Sequence, residues 1–280
     1  MSSTKYRHKS SGKVKVAAQI LLVRPPFPWD CIRDAQRECS ASIETAGARL
    51  RTVREFADGA PNTWKLHQIP WLSALIAAAS SANRSFPNID TGDSVSLKDH
   101  DRFIDWLICA ICEPPTNREI VDGLERYRSI IREKRVFSFQ DTGAIDLEYY
   151  PHEIVMEELS KLVHTLKSQT QITPIVLVAG IFAHFISIHP FMDGNGRAAR
   201  RLVFGLLRKL GLWGSAPLPL PFLLYRDRMH HVKSMRTLVV QRNAIQYISH
   251  MMSLMGASAE LSVLVRYFHP EEPSNIHMLA

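Results

Sequence analysis

Residues 189–200 read HPFMDGNGRAAR. One short stretch thus gathers most of the side chains that phosphate chemistry uses. His189 is the only group in it that can take a proton near neutral pH. Asp193 offers a hard carboxylate oxygen, the ligand type that a nucleotide's Mg²⁺ uses. Gly194 and Gly196 permit backbone conformations that side chains forbid. Arg197 and Arg200, three residues apart, can face one side of a helix. Two arginines at a helix start oppose the macrodipole, which makes better sense with an anion between them. GxG turns and single histidines are each common. Their combination within nine residues points to a phosphate site.

The elements around this loop must hold it in place. Ile175–Ile188 is a run of 14 almost wholly apolar residues containing His184. That is short of the roughly 20 residues a membrane span needs, so a helix buried on every side is expected. Pro190 disfavours continuing that helix. RAARRLVFGLLRKLGL then predicts an amphipathic helix stopped near Gly211. Between the two helices, a Gly-rich turn directs free N–H groups outward toward phosphate oxygens.

Upstream, residues 30–56 read as helical with a break near Thr45–Gly47, and 66–83 as a second helix. SSANRSFPNIDTGDSVS reads as a linker. Helices resume near Leu97 and continue through 117–134. RVFSFQDTGAIDLEYY alternates, turns at DTG and returns, which predicts one small β-hairpin. A helix is expected over 152–168. Residues 215–224 are Pro-rich and irregular, and helices at about 226–237 and 239–255 close the body. The expected fold class is all-α with one small hairpin.

At every defined position HPFMDGNGRAAR resembles the Fic-family motif, HPFx(D/E)GNGRxxR. The resemblance covers roughly residues 97–255. It implies a Fic-fold helical bundle and a protein adenylyltransferase. His189 would be the general base that deprotonates a Ser, Thr or Tyr hydroxyl on a target protein, with the chain itself one candidate target. ATP would be the co-substrate, with Mg²⁺ held by Asp193. Gly194, Asn195 and Gly196 would cradle the phosphates, Arg197 would contact the phosphate chain, and Arg200 the γ-phosphate. Phe137, Ser138 and Phe139 would belong to a flap that docks the target by strand addition. A branch that phosphorylates its targets carries Ala where Gly194 stands, so Gly194 favours nucleotidyl transfer. Relatives often carry paired tyrosines near the adenine. This chain has MHHVKSM there, so His230 and His231 are candidate base contacts, and another nucleotide donor stays open.

SASIET at 40–45 resembles the family's inhibitory pattern, (S/T)xxxE(G/N), except at Thr45. Ser40 and Glu44 would mark an N-terminal inhibitory helix over about 31–45, with Glu44 pairing to Arg200. Removal of AMP from the target is a second activity such a site can have. A silent Fic-fold binding protein is the rival reading.

The net charge of +7 sits in an arm. Residues 1–29 hold Lys5, Arg7, Lys9, Lys13, Lys15 and Arg24 and no acid, while the remainder carries 28 basic and 27 acidic residues. The arm reads as flexible, lacks a stacking pattern or helix-turn-helix context, and makes a nucleic-acid partner unlikely. The domain reading is an arm at 1–29, an N-terminal helical region at 30–96, a Fic domain at 97–255 and a tail at 256–280. Val16–Val23 is too short to span a membrane, and no membrane association or signal peptide is expected. Cys109 and Cys112, in a lone CAIC, lack a second ligand pair for zinc and read as small core residues. Reduced thiols fit the cytoplasm. A homo-oligomer is compatible with the sequence.

Overall fold

A computed structural model describes residues 7–10, 13–16, 19–58, 95–134, 137–139, 145–214 and 218–268. Helices dominate them: α1 (Trp29–Glu38), α2 (Ser40–Asp58), α3 (Val95–Cys112), α4 (Asn117–Arg126), α5 (Val155–Val163) and α6 (Thr165–Ser168). They continue with α7 (Pro174–Ile188), α8 (Asn195–Lys209), α9 (Leu220–Arg226), α10 (Arg228–Gln241) and α11 (Ile245–Phe268). The short strands are β1 (Arg7–Ser10), β2 (Lys13–Val16), β3 (Gln19–Leu22), β4 (Phe137–Phe139) and β5 (Ile145–Glu148).

The apolar run is the axis of the bundle. Pro174 stands in the first turn of α7, where its missing N–H costs nothing. Every residue from Ile175 to Ile188 except Ile186 is buried. α8 packs on α7, and α3 on α8. Burial of His184 is made tolerable by Glu158, whose Oε2 lies 3.2 Å from His184 Nε2. Lys161 donates to the same carboxylate at 2.8 Å. Burial alone would raise the Glu158 carboxyl, but these two bonds outweigh it and hold it low. No helix among the described residues is long and apolar enough to cross a membrane.

Several expectations are corrected. The segment 23–29 is not a loose arm. Val23 and Phe27 are buried, Phe27 stacks on His184 at 4.6 Å, and Arg242 Nη1 donates to the Pro26 carbonyl at 2.9 Å. β3 pairs in parallel with β5, Gln19 opposite Ile145, so apolar Val16–Val23 is partly strand. The first helical stretch breaks at Cys39, not at Thr45–Gly47. Cys39 is buried there, and its Sγ lies 3.6 Å from the Ile245 carbonyl oxygen. α2 runs along α11, with an Arg49–Glu260 ion pair at 3.0 Å, so the N-terminal helices share one core with the region 97–255. α11 continues to Phe268 through the expected tail, because Met255 and Ala259 are wholly buried. His164 interrupts the helix expected over 152–168. α4 ends at Arg126, short of the expected 134. Cys109 is exposed, unlike a core residue, and all four cysteines are free thiols.

β4 pairs antiparallel with β5, Phe137 opposite Glu148. The residues joining them, the expected helix at 66–83 and most of the expected linker lie outside the described residues.

Candidate functional site

His189 is the residue at which α7 stops. Its backbone is left-handed, with φ 50° and ψ 59°, and this turns the chain out of the helix toward the loop. A non-glycine residue in this conformation needs its surroundings to hold it there. Arg132 supplies the hold. Its guanidinium donates to the carbonyls of Lys134, Tyr150, Ile188 and His189, and its backbone N–H donates to Pro190 at 2.8 Å. The side chain is buried and meets the negative end of the α7 dipole. Burial brings its pKa down to about 10.

The His189 ring is stacked on Tyr149, centroids 3.8 Å apart and planes 12° from parallel. Nδ1 is enclosed and forms no hydrogen bond of normal geometry, although the Ile186 carbonyl favours the protonated ring. Burial first, and the Arg132 charge second, push the His189 pKa down to about 3. The ring is therefore neutral at neutral pH, and Nε2 is the nitrogen left to accept a proton.

The loop is closed by Asn195. Its buried amide donates to the Phe191 carbonyl at 2.8 Å and accepts from the Phe191 N–H at 2.9 Å. Phe191 anchors the loop in the core, with His100 of α3 stacked on it at 4.0 Å. Gly194 has φ 81°, a conformation that other residues rarely adopt. Gly196 has no positive φ and sits in the first turn of α8, so that part of the glycine expectation is corrected. Asp193 is exposed, and its Oδ1 accepts from the Gly194 N–H at 2.6 Å. Among the described residues the other carboxylate oxygen has no hydrogen-bond partner, which suits a hard cation.

α8 has no side-chain cap. Its first internal bond runs from Ala198 N–H to the Gly194 carbonyl, so the N–H groups of Asn195, Gly196 and Arg197 point out of the helix end. Arg197 is exposed and Arg200 half-buried, and among the described residues neither forms an ion pair. Arg201, by contrast, is clamped to Asp105 at 2.8 Å. Burial and the Arg197 charge both lower the Arg200 pKa. Positive charge at an uncapped helix N-terminus is an arrangement that suits an anion.

The other predicted residues are placed less uniformly. Glu44 is exposed, one residue past buried Ile43, and is not ion-paired to Arg200. The expected pairing is thus not formed: packing of Ile43 leaves the next helical position on the solvent side. Ser40 is exposed at the start of α2. Phe137, Ser138 and Phe139 form β4, and their side chains lie outside the described residues. His231 Nδ1 is enclosed, and burial, then the His250 and Arg200 charges, push its pKa down to about 3. His231 therefore sits close to Arg200. His230 is exposed beside Asp227. Arg132, Tyr149 and His100 escaped sequence reading, because arginine, tyrosine and histidine outside a motif carry no spacing signal.

Three comparisons extend these observations. The Fic/DOC family model matches residues 116–207. A Fido domain-containing protein of Dictyostelium discoideum is 30% identical over 112 residues, 39% of this chain and 74% of that protein. Among solved structures, Fic-1 of C. elegans has a TM-score of 0.51 at 17% identity, covering 83% of this chain and 75% of that one. A Fic family protein from Desulfovibrio desulfuricans has a TM-score of 0.48 at 16% identity, covering 89% and 79%.

Proposed function

The chain belongs to the Fic/DOC family, and from that premise we propose that it is a nucleotidyltransferase moving AMP from ATP to a hydroxyl of a protein. The observation that carries this reading is the α8 N-terminus: three outward N–H groups, no cap, and Arg197 and Arg200 without carboxylate partners among the described residues. A triphosphate chain satisfies all of these groups at once.

A target Ser, Thr or Tyr oxygen attacks the α-phosphorus, the bond to the bridging oxygen breaks, and pyrophosphate leaves. His189 Nε2 accepts the hydroxyl proton. Its low pKa keeps it unprotonated, and the approaching phosphate charge raises its basicity. Tyr149 and Arg132 fix the ring's position, so the contribution is orientation and electrostatics. Asp193 would hold Mg²⁺, which neutralises phosphate charge when bound. β4 would present the target segment by strand addition. His231, close to Arg200, and His230 are the candidates for selecting the base. Four free thiols match a reducing compartment, and we assign the activity to the cytoplasm.

The test incubates the chain with labelled ATP and Mg²⁺ in a cell lysate. Label is expected on protein with the native chain and absent with His189→Ala. Transfer that survives His189→Ala would overturn the reading. Parallel labelled GTP, CTP and UTP determine the base. Inhibition by Glu44 is tested by Glu44→Gly. With Glu44 exposed and not ion-paired to Arg200, an unchanged rate of self-modification is expected, whereas a large rise would restore the inhibitory role.

A further inference from the structure

Outside the motif loop, Asp227 and His250 converge on His230, a candidate base contact, and neither of these two has a role in the transfer chemistry. Asp227 lies between α9 and α10, His230 in the first turn of α10, and His250 on α11. Asp227 Oδ2 is 3.5 Å from His230 Nδ1 and 3.7 Å from His250 Nδ1. One ligand atom from each of the three residues lies within 4.8 Å of the others. The two imidazole rings are tilted by 38° to each other, centroids 4.4 Å apart.

We propose that Asp227, His230 and His250 form a binding site for a zinc-type divalent transition-metal ion. The spacing favours coordination over hydrogen bonding. Both Asp227–histidine contacts are longer than ordinary hydrogen bonds, and the buried His250 Nε2 has no hydrogen-bond partner among the described residues. A tetrahedral ion with bonds of about 2.0–2.1 Å has ligand–ligand edges of about 3.4 Å. The two Asp227 edges, 3.5 and 3.7 Å, already lie near that length, and a side-chain shift closes the third, which is within 4.8 Å. His230, exposed at 56%, can make it.

The donor set sets the metal class. Two imidazole nitrogens and one carboxylate suit zinc and its first-row neighbours, whereas Mg²⁺ and Ca²⁺ prefer all-oxygen shells. Three protein ligands leave a fourth position for water or a bound group. The ion would fasten the start of α10 to α11. His231, on α10, has its ring centroid 5.6 Å from that of His250. The site thus adjoins His231, the proposed base contact, and shares no residue with the Mg²⁺ position proposed at Asp193.

The experiment titrates the full chain, stripped with a chelator and carrying Asp193→Ala, with Co²⁺ and then Zn²⁺, in the absence of nucleotide. One equivalent of Co²⁺ should bind with the intense visible absorption of a four-coordinate site, and Zn²⁺ should displace it and raise the melting temperature. His230→Ala and Asp227→Asn, at partly exposed positions, should keep the fold by circular dichroism. Each should weaken Zn²⁺ binding at least about a hundredfold, since even losses around the ligands cost 10–100-fold. No uptake of one equivalent, or uptake unchanged in both variants, would overturn the site. Since no nucleotide is present, this result is independent of AMP transfer.

Discussion

Replacing Arg132 tests whether the site is held by one buried side chain. In Arg132→Met the apolar stem is kept and the guanidinium is removed. The carbonyls of Tyr150, Ile188 and His189 then lose their donor in an enclosed place. Leaving a buried polar group unsatisfied costs about 1–3 kcal/mol. Three such groups, partly relieved by relaxation, give a loss of about 3–5 kcal/mol. At roughly 2–4 °C per kcal/mol, the melting temperature should fall by about 10 °C. Arg132 also contributes the second cause of the low His189 pKa, so this value should rise from about 3 without reaching 6.5, because burial remains the first cause. Activity should fall on the order of a hundredfold, the penalty for misplacing a reacting group by about 1 Å. Arg132→Lys separates charge from geometry. It keeps the positive charge but not the planar fork. The His189 pKa should stay low while activity still drops. Urea denaturation gives the stability, and NMR titration of the His189 ring gives the pKa. A stability change below 1 kcal/mol together with an unmoved His189 pKa in Arg132→Met would refute the account.

Two further outcomes follow from packing and charge. The pKa values of His189 and His231 are lowered from 6.5 to about 3, so the unfolded chain binds protons that the folded chain does not. Their contribution is present above pH 6.5 and is lost as pH falls toward 3. At pH 5 each should cost about 2 kcal/mol, and urea midpoints at pH 7 and 5 should show a steeper fall for the native chain than for His231→Phe. A Cβ at Gly180 would lie 2.3 Å from Trp29 Cζ3. Gly180→Ala should therefore destabilise the fold by about 1–3 kcal/mol. A loose N-terminal segment would instead let Ala raise stability by up to about 1 kcal/mol through helix propensity.

Much of this was legible in the sequence where the signal is local. The 14-residue apolar run can only be a buried helix, since nothing along it offers a solvent face. Pro190 and Gly194 place a turn between two helices, and the helix expected from Arg197 starts two residues earlier, at Asn195. Other features were illegible because they depend on partners distant in sequence. The break at Cys39 comes from packing against α11, some two hundred residues away. Ordering of 23–29 comes from Phe27 stacking on His184 and from Arg242. A basic segment without acids reads as solvated until a tertiary partner for its apolar residues is known.

By itself the sequence determined the chemistry available at 189–200: a base, a carboxylate, a turn and two arginines at a helix start. These are fixed by residue type and spacing over a few positions, where local geometry leaves few options. The tertiary structure decided how those groups are poised. It set the protonation of His189 through burial and Arg132, left Arg200 without the Glu44 carboxylate, and brought Asp227, His230 and His250 together. Desolvation and charge proximity depend on distances across the bundle, and no one-dimensional pattern encodes those distances.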